Sequence, residues 1–392
     1  MRQIGCAGKN WQGMWLCALM VPYCQAADIN WAATMQSRLQ YQDNITLSEA
    51  NPIADTAGQL WFNSQLWRKT QSQESQLSLA LKDDQYAEHS EFEQDLRSLS
   101  LDQMIKGELS RYALKAEVSR STTLGNGYES GEFVRRNLAV NSRIFNASAD
   151  RQVNEFLSAS LSGGATFVRY HYMPNSDSQD YDDRNYTTSI KYQDKANADW
   201  QLALYTDGLD QLQSRLAVDT TGATLQRNYK WNELWLLSGK IGRRKSQFDG
   251  RTWWGGHFHQ KNYARVSSID IRRTAELNSL AIGLSEDIST RINGVVDETR
   301  RLSSGWEGKG SERSVVKLAI SLVDRKPIKT SFYNDDATSY TTFNAAWQYR
   351  LSETLSSDLQ LRRVERANTS RANREEAENS MVSIGLRWQL YP

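Results

Sequence analysis

Four histidines, His89, His171, His257 and His259, are the obvious candidates for proton transfer or metal binding. A catalytic histidine needs a nucleophile or a carboxylate within hydrogen-bond reach, and no spacing here supplies one. His257 and His259, two residues apart, could share one face of a strand, but two imidazoles are half of a zinc site. Asp177, Asp180, Asp182 and Asp183 offer hard oxygen ligands of the kind calcium takes, without the spacing of a calcium loop. They are read as a solvated acidic loop. The three cysteines, Cys6, Cys17 and Cys24, all lie at the extreme N-terminus. No catalytic residue, metal site or cofactor is therefore assigned, and the chain is read as non-enzymatic.

A larger group of chemically active residues is basic. Arg38, Lys82, Lys115, Lys191, Lys240, Arg291, Lys317, Arg350, Arg362 and Arg387 each oppose the apolar positions of alternating segments. Such positions share one face of a strand, opposite the apolar face. Acids on the same inferred face are fewer: Asp102, Glu117, Asp297 and Asp358. In a confined aqueous passage a surplus of one sign concentrates the opposite ion. A lumen favouring anions or acidic saccharides is one expectation; internal salt-bridge ladders that leave it electrically mixed are the other.

The elements that place those residues are strands. Leu77, Leu79 and Leu81 alternate with Ser78, Ala80 and Lys82, and Phe343, Ala345, Trp347 and Tyr349 alternate with Asn344, Gln348 and Arg350. The same period runs from Ala27 to the end, with no competing helical spacing of comparable length. Mean hydropathy is -0.66 and Lys+Arg 47 balances Asp+Glu 46, so global charge steers no partner and nucleic acid is not expected. No later run approaches the roughly 20 apolar residues of a spanning helix, but a barrel hides its apolar band by alternation.

Short connections are read near Thr70–Glu74, Ile105–Glu108, Asp194–Ala198, Asn232–Glu233, Ser285–Asp287 and Ser352–Thr354. Long ones are read near Asn44–Gly58, Asp83–Glu93, Thr122–Glu132, Met173–Arg184, Asp207–Gly222, Asp249–Gly256, Ser303–Arg313 and Ala367–Asn379. Short turns alternating with long loops predict an all-β fold, a transmembrane antiparallel up-and-down β-barrel of about 18 strands, range 16–20. The stretch Gly250–Leu284 reads either as one long strand plus loop or as three shorter strands. Trp31, Trp61, Trp67, Trp200, Trp231, Trp235, Trp347 and Trp388 lie near strand ends, as interfacial girdles require. Trp253, Trp254 and Trp306 stand beside glycines in inferred loops, where they would pack over the mouth or stack on sugars.

Arg2 and Lys9, an apolar run from Met14 to Tyr23, and Cys24-Gln25-Ala26 predict a signal peptide over 1–26 and a barrel domain over 27–392. The first strand would follow almost at once, leaving no room ahead of it for a plug, so a passive barrel is expected rather than an energised transporter. At the other end Val382, Ile384, Leu386, Trp388 and Leu390 form one apolar face of a closing strand. Ser383, Gly385, Trp388 and Leu390 resemble the signal by which barrel assembly machinery recognises outer-membrane barrels.

Tyr41-Gln42-Asp43-Asn44-Ile45, Ser48-Glu49-Ala50-Asn51-Pro52-Ile53-Ala54-Asp55, the Tyr349–Leu361 hairpin and Leu386-Arg387-Trp388-Gln389-Leu390 carry a further resemblance. The chain resembles the outer-membrane β-barrel porin family found with exopolysaccharide and exosortase (PEP-CTERM) gene sets. Its terminus departs from the usual form, ending Leu390-Tyr391-Pro392 rather than in an aromatic residue. The resemblance implies location in the cell outer membrane and a pore-like or export-associated role, and brings no catalytic residues. The partners it implies are outer-membrane lipid and lipopolysaccharide, with polysaccharide as a candidate cargo. Two alternatives remain: a surface binding or scaffold barrel with a closed lumen, and a barrel hydrolase using a rim histidine.

Overall fold

The computed structural model describes residues 28–49, 52–122, 139–170, 180–195, 197–212, 216–251, 256–290, 296–327, 337–369 and 374–390. The expected signal peptide, His171, Asp177, Trp253, Trp254, Arg291 and most of the inferred Thr122–Glu132 loop lie outside these residues.

Eighteen strands follow one another. They are β1 Asp28–Gln42, β2 Asp55–Lys69, β3 Gln73–Tyr86, β4 Gln94–Lys106, β5 Ser110–Thr122, β6 Ala139–Gln152, β7 Leu157–Tyr170, β8 Tyr181–Lys195 and β9 Ala198–Gln211, then β10 Leu216–Lys230, β11 Trp235–Arg251, β12 His257–Thr274, β13 Asn278–Thr290, β14 Val296–Ser311, β15 Ser314–Pro327, β16 Ala337–Arg350, β17 Leu355–Thr369 and β18 Arg374–Leu390. Each pairs antiparallel with the next, and β1 pairs with β18 from Ala33↔Leu390 to Gln42↔Met381. Closure leaves no edge strand, which a backbone in hydrocarbon requires.

Residues directly opposite across a ladder share a face, so the register carries one face assignment around the whole barrel. Met35 faces Trp388 and Phe62, and Leu39 faces Ile384. That face holds the exposed large apolar residues: Leu39 (56%), Ile241 (57%), Leu284 (54%) and Ile384 (61%) among many. An apolar band turned outward on a closed barrel is the lipid-facing surface of an outer-membrane protein. Its depth can be measured. Ile384→Arg should cost about 2–4 kcal/mol at mid-bilayer, whereas Gln389→Arg on the inner face should cost about 0–1. Urea unfolding in lipid vesicles reads both, and a loss below 1 kcal/mol at Ile384 would place that residue away from mid-bilayer.

The tight turns gather at one end, with the start of β1 and the end of β18. Several expected boundaries move. Ser285–Asp287 is not a turn; it lies inside β13, and the turn is at 275–277. Ser303–Arg313 is not a long loop but the turn-side part of β14 and a two-residue turn. Asp207–Gly222 shrinks to the short gap between β9 and β10. Gly250–Leu284 resolves mainly into β12, β13 and one tight turn. The common cause is an inner face of serine, glycine and charge facing water. Such residues are turn formers elsewhere, yet here they occupy strands longer than the apolar band demands.

Tryptophan placement changes for the same reason. Trp31, Trp200, Trp235, Trp347 and Trp388 face outward near the turn-side end, and Trp306 of β14 joins them instead of sitting in a loop. Trp31 Nε1 donates to Ser64 Oγ at 2.7 Å and Trp347 Nε1 to Ser314 Oγ at 2.9 Å. Arg227 lies 4.8 Å over the Trp200 ring. Trp61 and Trp67, however, stand opposite Gln36 and Asn30 and face inward. They are not part of the girdle.

Candidate functional site

The inner face is mostly polar, with an apolar cluster at its loop-side end where Val218 and Phe248 pack with Leu209, Leu216 and Ala264. Gln36, Gln40 and Gln59 line it at 6%, 7% and 7% exposure, and β7 contributes Ser158, Ser160, Ser162 and Gly164. The register places Arg38, Lys82, Lys115, Lys191, Lys240, Lys317, Arg350, Arg362 and Arg387 on this face.

Many of these cations are paired. Arg38 meets Asp358 at 2.9 Å, Lys82 meets Asp84 at 2.7 Å, Lys115 meets Glu117 at 3.3 Å, Lys191 meets Asp199 at 3.2 Å and Lys317 meets Glu307 at 3.0 Å. Arg350 Nη2 donates to the Glu312 carbonyl at 2.7 Å. Lys240 and Arg387 have no ion pair among the described residues. The inner wall is thus electrically mixed, and a uniform basic lining does not describe it. The surplus is local. On β14 to β18 the described inner residues include Arg301, Lys317, Arg325, Arg350, Arg362, Arg366 and Arg387, against Asp297, Glu307 and Asp358.

The Arg38–Asp358 pair shows how closure builds part of this wall. Arg38 on β1 and Asp358 on β17 both stand opposite Gly385 of the intervening β18. A Cβ at Gly385 would lie 2.8 Å from Asp358 Oδ1 and 3.2 Å from the Ser37 carbonyl. Glycine therefore opens the gap through which Arg38 reaches across a whole strand. Gln36 Nε2 donates to Asp358 Oδ1 at 3.2 Å, completing the bridge over the seam.

The β1–β2 loop folds inward at the end away from the tight turns. Asp43 Oδ1 accepts from the Ser380 amide at 2.6 Å, and Asn44 Nδ2 donates to the carbonyls of Ser48 and Glu378, both at 2.9 Å. Ile45 packs with Ala57, Tyr86 and Phe92, which come from β2, β3 and the 3₁₀ turn Ser90–Phe92. Leu47, fully buried, packs on Val364 and Ala377 of β17 and β18. Its φ of 45° is costly for a leucine, on the order of 1 kcal/mol, and the apolar contact holds it there. Asp55 anchors the neighbouring loop by accepting from the amides of Glu88 at 3.1 Å and His89 at 2.9 Å. Beneath the loop lies a cavity of about 510 Å³ lined in part by Arg38, Gln59, Lys82, Lys317, Arg362 and Asn379.

The other candidate ligands separate. Asp182 faces outward and pairs with Arg169 at 2.6 Å, while Asp183 faces inward, so the two cannot hold one cation. His257 and His259 share an outward face, with His259 bonded to Asp249; His89 Nδ1 lies 3.2 Å from Asp55 Oδ2. No group of three or more His, Cys, Asp or Glu converges on a metal site among the described residues. What the sequence reading missed is Trp61, 38% exposed to the lumen between Gln36 and Lys82, and the docking role of Ile45 and Leu47. Ile45 and Leu47, two apart in a loop that also carries Ile53, were the available signal.

A closed 18-strand barrel with an apolar exterior and a hydrophilic interior defines the outer-membrane β-barrel class, in its porin-like form. No family model matches the chain, and no curated protein does. Among solved structures it is similar in fold to OccK2 (OpdF) of Pseudomonas aeruginosa, with a TM-score of 0.53 and 12% identity over 93% of this chain and 98% of that one. OccK1 (OpdK) of the same organism gives 0.52 at 9% identity over 93% and 99%. The ferric citrate transporter FecA gives 0.49 at 9% identity; 86% of this chain is covered, which spans only 60% of FecA.

Proposed function

We propose that the protein is a passive, porin-like channel for small hydrophilic solutes, favouring acidic ones. The observation that carries this is the cavity of about 510 Å³ in a polar lumen, bordered by Arg38, Lys82, Lys317 and Arg362. An 18-strand barrel is wide enough to leave an aqueous path, where eight strands would fill with side chains. The carboxylate preference follows from the basic sector of β14 to β18, tempered by the paired acids elsewhere. OccK2 has been solved in complex with glucuronate, a sugar acid whose charge would suit such a wall. Trp61 adds an aromatic face on which a sugar ring can stack. The finer reading, a link to exopolysaccharide passage, is supported only by the resemblance of the loop and terminal segments.

Planar-bilayer recording of the purified barrel tests the proposal. The expected result is an ohmic channel whose reversal potential in a potassium chloride gradient favours chloride. Absence of conductance would replace the channel with the closed binding or scaffold barrel. Cation preference would remove the acidic-solute reading while leaving the channel.

A further inference from the structure

The outward face of β11 and β12 carries charge that the channel does not use. Arg243 stands directly opposite Arg265, Lys245 opposite Tyr263, and Gln247 opposite Lys261. These positions share the face of Ile241 and Ile269 and look away from the lumen, where Arg244 meets Asp287 at 3.1 Å. Arg243, Lys261 and Arg265 are exposed, and Tyr263 is 75% exposed. None of the four cations forms a close ion pair among the described residues, although Asp249 on the same face lies within electrostatic reach of Lys261.

Height and contrast give this cluster its meaning. Arg243 lies eight residues above the girdle residue Trp235, roughly 20 Å along the barrel axis for a tilted strand. That is near the upper edge of an apolar band about 25 Å tall, on the side of the long loops, which face outward in such barrels. Elsewhere at this rim several outward cations are neutralised by the protein itself, although Arg184 on β8 stands without an ion pair among the described residues. Arg169 pairs with Asp182, Arg300 with Glu286 and Glu298, Lys326 with Asp324, and Arg363 with Glu365 and Glu378. A looser group, Arg97, Arg120 and Arg143 on β4 to β6, contains the Arg97–Asp95 pair. Only β11–β12 concentrates four cations on two adjacent strands with no such pair among the described residues.

We propose that this patch binds the phosphorylated headgroup of lipopolysaccharide in the outer leaflet. Paired guanidinium groups match phosphate bidentately, and lysines add point charges. Tyr263, set between the cations, offers a hydroxyl at headgroup level and a ring against the acyl boundary. The site is at the level of lipid phosphates and on the opposite face from any solute in the lumen.

The test is native mass spectrometry of the detergent-purified barrel titrated separately with phosphorylated lipid A, dephosphorylated lipid A and phosphatidylglycerol. The unaltered protein should bind phosphorylated lipid A about tenfold more tightly than either other lipid. A quadruple variant, Arg243→Gln, Lys245→Gln, Lys261→Gln and Arg265→Gln, should lose that preference while keeping its channel conductance. Equal binding of dephosphorylated lipid A would overturn the proposal. So would equal binding of phosphatidylglycerol, which would make the patch a general anionic-lipid contact. Undiminished lipid A binding by a variant with folded-barrel gel mobility would overturn it too. The comparison of lipids on the unaltered protein decides the matter even if the variant does not assemble.

Discussion

Leu47→Asp combined with Ile45→Asp should raise single-channel conductance roughly twofold and admit larger solutes. Both side chains hold the β1–β2 loop against the inner wall: Leu47 against Val364 and Ala377, Ile45 against Ala57, Tyr86 and Phe92. Burying each contributes about 2 kcal/mol. An unpaired carboxylate in either pocket costs several kcal/mol instead, so the loop leaves its seat. The hydrogen bonds that the Asp43 carboxylate accepts from the Ser380 amide and the Asn44 amide donates to the Glu378 carbonyl cannot offset that loss, since each contributes only about 1 kcal/mol net. The positive φ of Leu47 adds to the drive, because its strain is released once the side chain is free. Barrel assembly should be unaffected, the ladders being independent of the loop. Conductance recorded in planar bilayers, with exclusion of graded polyethylene glycols, gives the answer. An unchanged channel would mean that the loop does not set the constriction.

Lys317→Glu with Arg362→Glu should move the chloride-to-potassium permeability ratio about tenfold toward potassium. The two substitutions change the formal charge of the basic wall by four beside a cavity of about 510 Å³. At about 6 Å in water each unit charge contributes roughly 0.7 kcal/mol, which salt reduces by half or more; about 1.4 kcal/mol survives, a factor of ten. Lys317 and its partner Glu307 are both well exposed, so inverting the lysine leaves two solvated acids rather than a buried repulsion. Arg38 is deliberately not chosen. It and Asp358 have side chains only 14% and 11% exposed, and an acid at position 38 would strain the seam between β1 and β17 across Gly385. Selectivity and stability would then change together. A reversal potential that stays put would show that ions pass along the serine-rich wall of β7 instead.

Much of the barrel was readable because its dominant force acts locally. Lipid selects apolar side chains on one face of each strand, and a strand's period of two displays that choice without reference to any partner. The closing strand illustrates it: Val382, Ile384, Leu386 and Trp388 fall outward in the structure on the face their alternation implies. The inner face was less legible. Water tolerates serine, glycine, asparagine and charge equally, so Gly305 in β14 and Ser285 and Asp287 in β13 looked like turns although they extend the ladder. β2 failed differently. Its doublets Leu60-Trp61 and Leu66-Trp67 put an apolar residue on both faces, so alternation cannot say which is lipid-facing. Pairing with β1 decides it, sending Leu60 outward with Ser37 and Trp61 inward with Gln36.

The sequence by itself determined the class of the molecule and its number of strands to within a narrow range. Those properties are set strand by strand, by the contrast between hydrocarbon and water. Only the tertiary structure decided which cations are neutralised, that Gly385 lets Arg38 reach Asp358, that Ile45 and Leu47 turn inward, and that four cations gather on the lipid side of β11–β12 with no ion pair among the described residues. Such contacts join residues up to 337 positions apart. Their energy depends on register and closure, which no local period encodes.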